Sequence, residues 1–189
     1  MKNYYTSKEL RNIFKIKNVG QNVFIKKNCI MTNPKNLIIG NNVRIDDFCV
    51  FAGKSKIKIG SFVHIGAFSF FNASDEIIMN DFVSFSSNIS LYTGSENIDG
   101  NFFTNPTIPA KYRKPLRAKV IIKKYAWIGP KCTILPGCVI GEGAAVLANT
   151  LINKSLPPWN IYFGSPIKKL KKREKINKSY LNKLLNEKR

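Results

Sequence analysis

Aliphatic residues recur at every sixth position along two stretches of the chain. The second stretch reads Ile122, Ile128, Ile134, Ile140, Val146 and Ile152. The first reads Ile39, Ile45, Phe51 and Ile57, then shifts by two residues to Ile59, Ile65, Phe71 and Ile77. A helix repeats near 3.6 residues and an exposed strand near 2, so neither explains this period. The pattern predicts a parallel solenoid of six-residue units, each a short strand and a turn.

Glycine follows the aliphatic residue in several units, as in Ile39-Gly40, Ile65-Gly66 and Ile140-Gly141. Glycine at this position suits the backbone of a tight corner. Three units would make one triangular coil, and each aliphatic side chain would point inward and stack on its equivalent one coil later. The alternative, a β-sandwich with chance spacing, is disfavoured because the second stretch keeps strict phase over six units.

The pattern divides the chain into three parts. Residues 1–16 are predicted to form a short amphipathic helix, because Thr6 and Glu9 have the spacing of a capping box. Residues 17–163 are predicted to form the solenoid. Residues 164–189 are predicted to form a basic C-terminal helix.

Two features interrupt the solenoid. Pro34 breaks the period between residues 28 and 36. The longer interruption is an excursion at residues 94–119, which contains three prolines and few core candidates. Loops that leave a rigid scaffold commonly carry function, so we expect the excursion to hold part of the site.

Composition adds an excess of positive charge. Lys and Arg number 31 against 11 Asp and Glu, a net charge of +20, and 44% of residues are apolar. This balance raises nucleic acid, anionic membrane and phosphorylated ligands as partners. We expect no nucleic-acid partner, because the chain has no nucleic-acid motif, and no membrane span, because no apolar run approaches about 20 residues. With no signal peptide at the N-terminus, we expect a soluble, cytoplasmic protein.

Cysteine and histidine do not indicate a metal site. The chain has four cysteines, Cys29, Cys49, Cys132 and Cys138, and one histidine, His64. Their spacing does not match that of a zinc site, so we expect no metal. We interpret the cysteines as small buried hydrophobic residues.

Several motifs of the second stretch are Trp127-Ile128-Gly129, Ile134-Leu135-Pro136-Gly137, Ile140-Gly141-Glu142-Gly143, Asn153-Lys154-Ser155-Leu156-Pro157-Pro158 and Gly164-Ser165-Pro166-Ile167-Lys168. Together they resemble the hexapeptide-repeat acyltransferases, in particular the galactoside, maltose and polysaccharide sugar acetyltransferases. The resemblance implies an all-β fold, a left-handed parallel β-helix of hexapeptide repeats with a short N-terminal helix and a C-terminal helix. It also implies a homotrimer with sites between subunits, and acetyl-CoA as cosubstrate.

The same resemblance implies which residues contact CoA. These are Trp127, Pro130, Ala148, Asn153, Lys154, Lys168 and Lys171. Asn153 replaces a threonine of the family and the lysines replace arginine, but the polar or cationic character is kept. Phosphate groups of CoA favour such cations. The alternative for Lys168 and Lys171 is a solvated basic tail.

One departure from the family affects the predicted acceptor. Members that acetylate hydroxyl groups carry a histidine eight residues after an asparagine that precedes the excursion. The asparagine is present as Asn88, but Glu96 stands at the histidine position. A hydroxyl is a poor nucleophile without a base, whereas an amine needs only to be unprotonated. The departure favours an amine, with Glu96 and Asn88 as predicted catalytic residues and His64 as a face residue of a coil.

Acceptor binding is predicted within and beside the excursion. Tyr92 is expected to stack on a sugar or a base. The basic residues expected to contact the diphosphate of a nucleotide-linked sugar are Lys111, Arg113, Lys114 and Arg117. The alternative is a basic loop that matches a basic protein. The sequence therefore favours acetyl transfer to the amine of a nucleotide-linked amino sugar in surface polysaccharide biosynthesis. O-acetylation of a sugar is the second hypothesis. A non-catalytic, anion-binding β-helix and an acyltransferase that has lost activity are less favoured.

Overall fold

Each coil contributes one short strand to each of three mainly parallel sheets in the computed structural model. The structure describes residues 3–187. We name the sheets faces 1, 2 and 3 in the order in which the chain visits them within a coil. Parallel pairing between successive coils confirms the predicted solenoid, a left-handed β-helix.

The strands group by face. Face 1 contains Asn18–Val19, Leu37–Ile39, Ile57–Ile59, Ile77–Met79, Val120–Ile122 and Val139–Ile140. Face 2 contains Tyr4–Tyr5, Val23–Lys26, Val43–Ile45, His64–Ile65, Ser84–Phe85, Trp127–Ile128, Ala145–Val146, Asn160–Phe163 and Lys168–Lys172. Face 3 contains Ile30–Met31, Val50–Gly53, Phe70–Ala73, Ser90–Tyr92, Thr133–Ile134 and Leu151–Ile152.

Coil length differs between the two halves of the solenoid. In the second half Ile122 pairs with Ile140, so a coil consists of three six-residue units, as predicted. In the first half Ile39 pairs with Ile59, so each coil is longer by two residues, which corrects the prediction there. The additional pair of residues in each coil accounts for the phase shift in the first stretch.

The additional residues lie at the corner from face 3 to face 1. Gly53 has a φ of +103°, and a Cβ there would lie 2.3 Å from the carbonyl oxygen of Ala73. This close approach requires glycine. The interruption at Pro34 is the same corner one coil earlier, where Pro34–Asn36 forms a 3-10 turn. The solenoid therefore continues past Pro34 without a break.

Aliphatic and aromatic side chains fill the interior from end to end. Phe71 is fully buried and stacks on Phe51 with ring centroids 5.2 Å apart, while Phe85 meets its edge. Burying a side chain of this kind contributes roughly 2–3 kcal/mol. All four cysteines are free thiols; Cys49, Cys132 and Cys138 are buried as expected, whereas Cys29 is only partly buried. Burial raises the pKa of the Cys132 and Cys138 thiols.

A helix closes the N-terminal end of the core. Helix α1 spans Ser7–Ile13, and its capping box is present as predicted: Thr6 Oγ1 accepts from the Glu9 amide at 3.4 Å, and Glu9 Oε2 accepts from the Thr6 amide at 2.7 Å. Leu10 is fully buried against the first coil. The helix is shorter than the predicted 1–16, of which residues 1 and 2 lie outside the described residues.

The C-terminal segment differs from the predicted helix. Lys168–Lys172 forms a strand, antiparallel to Asn160–Phe163, and helix α2 begins only at Lys178 and ends at Asn186. The last parallel strand of face 2 would otherwise leave backbone groups unpaired, and a lysine-rich strand both pairs with it and discourages further pairing. Arg173 then anchors the segment, donating from Nη1 to two corner carbonyl oxygens at 3.1 Å.

Candidate active site

The excursion leaves face 3 directly after the strand Ser90–Tyr92. Gly94–Ser95 pairs antiparallel with Leu116–Arg117, so the excursion is closed at its base by a two-stranded ribbon. A Cβ on Gly94 would lie 2.6 Å from the Cβ of Ser74, so the chain can pass this point only without a side chain. The base of the excursion is therefore held rigidly against the solenoid.

A cavity of about 500 Å³ lies at this base. Its lining residues are Asn72, Ser74, Tyr92, Gly94, Ser95, Glu96, Pro106, Arg113, Pro115, Leu116 and Arg117. We call it the inner cavity. Three of the predicted site residues, Tyr92, Glu96 and Arg113, line it together. A small polar molecule would meet an aromatic ring, a carboxylate and guanidinium groups there.

Glu96 and Arg113 form an ion pair in the wall of the inner cavity. Arg113 Nη2 donates to Glu96 Oε1, and its Nη1 donates to the Pro106 carbonyl oxygen at 3.4 Å. Within residues 3–187, the buried atoms Oε2 of Glu96 and Nε of Arg113 have no hydrogen-bond partner. Arg113 was predicted to contact a diphosphate; here its first partner is the predicted catalytic carboxylate.

Asn88 lies away from the inner cavity of its own chain. It is exposed at the corner from face 2 to face 3, with a φ of +60°, and its amide donates to Ala67. Phe48 and Phe68 occupy the same corner position in the two preceding coils, with centroids 5.1 Å apart and exposed fractions of 51% and 58%. One chain thus does not bring Asn88 and Glu96 together.

The predicted CoA residues are spread over different parts of the surface. Trp127 points outward on face 2, where it lines a groove of about 260 Å³ beside helix α2. Lys168 and Lys171 are exposed on the edge strand of the same face. Pro130 and Ala148 occupy equivalent places at the corner from face 2 to face 3, one coil apart.

Asn153 and Lys154 lie at the next corner, after face 3, and both are exposed. Face 2 and the surface around face 3 therefore each carry part of the predicted set. Lys111, predicted to contact the diphosphate, lies on the excursion, where it lines a second cavity of about 440 Å³ at the tip.

His64 points outward on face 2, as predicted, and contacts Asp46. Its Nε2 lies 2.9 Å from Asp46 Oδ2, while Arg44 Nε donates to Oδ1 at 2.8 Å. Burial acts to raise the pKa of Asp46, but the hydrogen bonds from His64 and Arg44 outweigh it, so the pKa lies below its usual value. His64 is remote in sequence from the excursion and does not line the inner cavity.

Sequence reasoning missed Asn72 and Ser74, which line the inner cavity beside Tyr92. Asn72 pairs in register with Tyr92, its equivalent in the next coil. A coil length of 20 residues, applied to Tyr92, would have identified Asn72 as its neighbour. In the part of the chain that the structure describes, no group of three or more His, Cys, Asp or Glu side chains is placed to hold a metal ion, and no helix has the length and apolar character needed to cross a membrane.

Comparison with known proteins agrees with this fold. Residues 119–154 match the family model of the bacterial transferase hexapeptide, six repeats. The structure of AntD, an N-acyltransferase from Bacillus cereus, in complex with dTDP and 3-hydroxybutyryl-CoA, aligns with a TM-score of 0.90 and 39% identity over 99% of this chain and 98% of AntD. A variant of AntD in which one serine is replaced by alanine was solved with dTDP-4-amino-4,6-dideoxyglucose and coenzyme A, and it aligns with a TM-score of 0.92.

Curated relatives match over shorter segments. A dTDP-4-amino-4,6-dideoxy-D-glucose acyltransferase of Escherichia coli is 35% identical over 49% of this chain, and the match spans 48% of that protein. WbbJ of Escherichia coli K12, described as a lipopolysaccharide biosynthesis O-acetyl transferase, is 36% identical over 36% of this chain and 35% of its own length. The similarity to AntD extends over nearly both whole chains, and the chain therefore belongs to the bacterial hexapeptide-repeat acyltransferases.

Proposed function

We propose that this protein is a CoA-dependent acyltransferase that moves an acetyl group from acetyl-CoA to the amine of a nucleotide-linked amino sugar. The observation that carries the proposal is the inner cavity, where Glu96, Arg113 and Tyr92 lie together. AntD, similar over nearly its full length, is an N-acyltransferase solved with dTDP and an acyl-CoA. The matching acyltransferase of Escherichia coli is named for a dTDP-linked 4-amino sugar.

The chemistry requires little from the protein beyond orientation. The unprotonated amine attacks the thioester carbonyl carbon, an N–C bond forms, the C–S bond breaks, and the proton lost by nitrogen ends on the CoA sulfur. Glu96 acts by accepting a hydrogen bond from the amine and so aiming its lone pair. Tyr92 offers a ring face to the apolar side of the sugar. Positioning of this kind accounts for a large part of the rate of a bimolecular reaction.

Glu96 has a serine ten residues before it, a spacing also found between two residues replaced in AntD. One solved AntD variant replaces an aspartate, and another replaces a serine ten positions earlier in that chain. The same spacing here separates Ser86 from Glu96. Ser86 directly follows the strand Ser84–Phe85 of face 2, and its amide donates to the Ile128 carbonyl oxygen at 2.8 Å, whereas Glu96 follows face 3. A site that used both Ser86 and Glu96 would require face 2 of one copy to meet face 3 of another.

A homotrimer provides that arrangement. Three copies that place face 2 against the face 3 side of the next copy form a closed ring, a common symmetry of such contacts. The exposed, stacked Phe48 and Phe68 stand on the corner that would lie between copies. The CoA residues on face 2 and those after face 3 would then border one cleft, with Lys168 and Lys171 near the phosphates and Trp127, Pro130 and Ala148 along the pantetheine.

Acetyl-CoA and nucleotide-linked sugars are substrates of the cytoplasm, which favours a cytoplasmic enzyme. N-acylated sugars of this type are building units of surface polysaccharides, which we propose as the destination of the product.

The test is a set of acyl-transfer assays. Purified protein is incubated with acetyl-CoA and a panel of dTDP-, UDP- and GDP-linked amino sugars, and free thiol release is followed together with the mass of the product. We expect one amino sugar to gain an acetyl group. Absence of thiol release with every amine would overturn the proposal. A parallel series with 3-hydroxybutyryl-CoA tests the length of the acyl group, because AntD was solved with that donor.

O-acetylation of a sugar is the second candidate, favoured by the shorter match to WbbJ. The same assay distinguishes it, since thiol release would then occur with hydroxyl glycans and not with amines. A non-catalytic anion-binding β-helix would instead retard nucleic acid in a gel at low salt, with a steep dependence on salt concentration.

A further inference from the structure

Three aromatic side chains are exposed at the tip of the excursion. Phe102, Phe103 and Tyr112 are 38%, 60% and 49% exposed. They line the cavity of about 440 Å³ together with Gly100, Asn101 and Lys111, and we call it the outer cavity. Clustered exposed aromatic residues commonly mark a binding surface. The acyl transfer proposed above uses none of these rings.

Lysine side chains cover the faces of two of these rings. Lys111 Nζ lies 4.8 Å from the ring centroid of Tyr112, and Lys114 Nζ lies 5.7 Å from that of Phe102. Such contacts are weak when exposed, and lysine is flexible and strongly hydrated. A flat ligand ring can therefore replace the ammonium on the aromatic face, while the ammonium remains close enough to bind an anionic part of the same ligand.

The charge of the excursion favours an anionic ligand. Residues 94–119 contain five Lys or Arg and two acidic residues. One of the acidic residues, Glu96, is already paired with Arg113. Of these basic residues, Lys111 lines the outer cavity and Lys114 contacts the ring of Phe102, while Arg113 and Arg117 line the inner cavity. Phosphate groups bind to lysine and arginine through charge-assisted hydrogen bonds.

Consecutive residues of the excursion line the outer and the inner cavity. Lys111 and Tyr112 line the outer cavity, and the next residue, Arg113, lines the inner one. The link is ordered: Ala110–Tyr112 forms a 3-10 turn, and the Phe103 amide donates to the Tyr112 carbonyl oxygen at 3.1 Å. A ligand with an aromatic ring, a diphosphate and a sugar would span the two cavities across this link.

We propose that the outer cavity binds the base of a nucleoside diphosphate, with the diphosphate beside Lys111 and Lys114 and the attached sugar in the inner cavity. The inference rests on the proposed function and names three residues, Phe102, Phe103 and Tyr112, as determinants of the requirement for a nucleotide. Stacking on aromatic side chains tolerates different bases, because every base has a π-face.

The first test is the binding of dTDP alone, measured by isothermal titration calorimetry. Phe103→Ala and Tyr112→Ala are each expected to weaken dTDP binding about tenfold, as the loss of one stacked ring predicts, without changing the affinity for CoA. Phe103→Tyr, which keeps a ring, should bind dTDP as tightly as the wild type. Phe103→Leu, which keeps only apolar bulk, should bind dTDP as weakly as Phe103→Ala. The control is Phe24→Ala, which removes a ring that is 45% exposed on face 2 in the first coil. Equal dTDP affinity in the wild type and all of these variants overturns the inference.

The second test separates this inference from the proposed function. The nucleotide-linked amino sugar is compared with the same amino sugar 1-phosphate, which has no nucleoside. We expect Phe103→Ala to raise KM for the first about tenfold, to leave KM for the second unchanged, and to leave kcat unchanged for both. If the wild type acylates both acceptors with the same KM, the inference is overturned and the proposed function stands. Tight dTDP binding that Phe103→Ala weakens, with no acyl transfer to any amine, supports the inference and overturns the function.

A second copy of the chain is the competing occupant. If Phe103→Ala lowers the sedimentation mass and leaves dTDP affinity unchanged, the aromatic patch is a subunit contact and the nucleotide proposal fails.

Discussion

Arg113 donates a hydrogen bond through Nη2 to Oε1 of Glu96, and the pair joins two points of the excursion that are 17 residues apart. The side chains are 15% and 26% exposed. The pair connects the start of the excursion to the segment that returns to the solenoid, and it holds the carboxylate in the wall of the inner cavity. Removing either partner should therefore affect both the loop and the chemistry.

Glu96→Gln is expected to lower kcat with the best amine acceptor by about 10²-fold, the loss that a misplacement of a reacting group by about 1 Å can cause. Glutamine keeps the size of the side chain and one oxygen for Arg113 but removes the charge that orients the amine. The KM for acetyl-CoA should change little. Steady-state kinetics measures both constants. Asp99→Asn, an exposed site on the same excursion, is the matched control, and a wild-type kcat in E96Q would remove Glu96 from the chemistry.

Arg113→Met is expected to destabilise the protein more than the double variant Glu96→Gln/Arg113→Met. The single change leaves a largely buried carboxylate without its cation, whereas the double change leaves two neutral groups. We expect the single variant to lose about 2 kcal/mol, less than the loss of a fully buried pair, and the double variant to recover part of it. Urea unfolding measures the difference. Equal stability of the two variants would show that the pair does not couple.

Phe71→Ala should cost about 3–5 kcal/mol of unfolding free energy, because it leaves a cavity between Phe51 and Phe85 in a continuous core. The control is Phe24→Ala on face 2, where the ring is 45% exposed and its loss should cost less than about 1 kcal/mol. Both values come from urea unfolding followed by circular dichroism. Similar losses in the two variants would contradict the placement of Phe71 in the core.

The lowered pKa of Asp46 should make the stability of the protein depend on pH. Its pKa is lowered in the folded protein, since the hydrogen bonds from His64 and Arg44 outweigh burial. A lowered pKa contributes stability above the unfolded pKa of about 3.9, and the contribution is lost as pH falls through the folded value. The stability difference between the wild type and Asp46→Asn should be present at pH 6 and shrink below pH of about 4. Thermal unfolding across this range measures it, and a difference that grows on acidification would reverse the assignment.

The proposed homotrimer predicts that Phe68→Glu dissociates the protein. Phe68 lies at the corner from face 2 to face 3, and in the proposed trimer a glutamate there would face the glutamates of the neighbouring copies. Analytical ultracentrifugation should give the mass of three 21.4 kDa chains for the wild type and of one chain for the variant. Acyl transfer should fall with the trimer. Ile98→Glu, at a residue 84% exposed on the excursion, is the control and should leave the mass unchanged. A wild type that sediments as one chain would contradict the homotrimer.

Sequence reasoning reached the inward positions because burial on one side of a short strand imposes a strict repeat. Ile122, Ile128 and Ile134 are fully buried, as their spacing predicts. The same reasoning extended a helix back to residue 164, where lysines carry no periodic signal. There the decisive factor was the unpaired edge of face 2, a property of the assembled sheet.

The sequence by itself determined the solenoid, its core and the position of the excursion, because these follow from local patterns of apolar residues, glycine and proline. It also pointed to Glu96, through the absence of a histidine at that place. Only the tertiary structure decided that Arg113 pairs with Glu96 and that Tyr92 joins them in one cavity. Contacts across the 17 residues between Glu96 and Arg113 depend on how the excursion folds back on the coil, and no local repeat encodes that path.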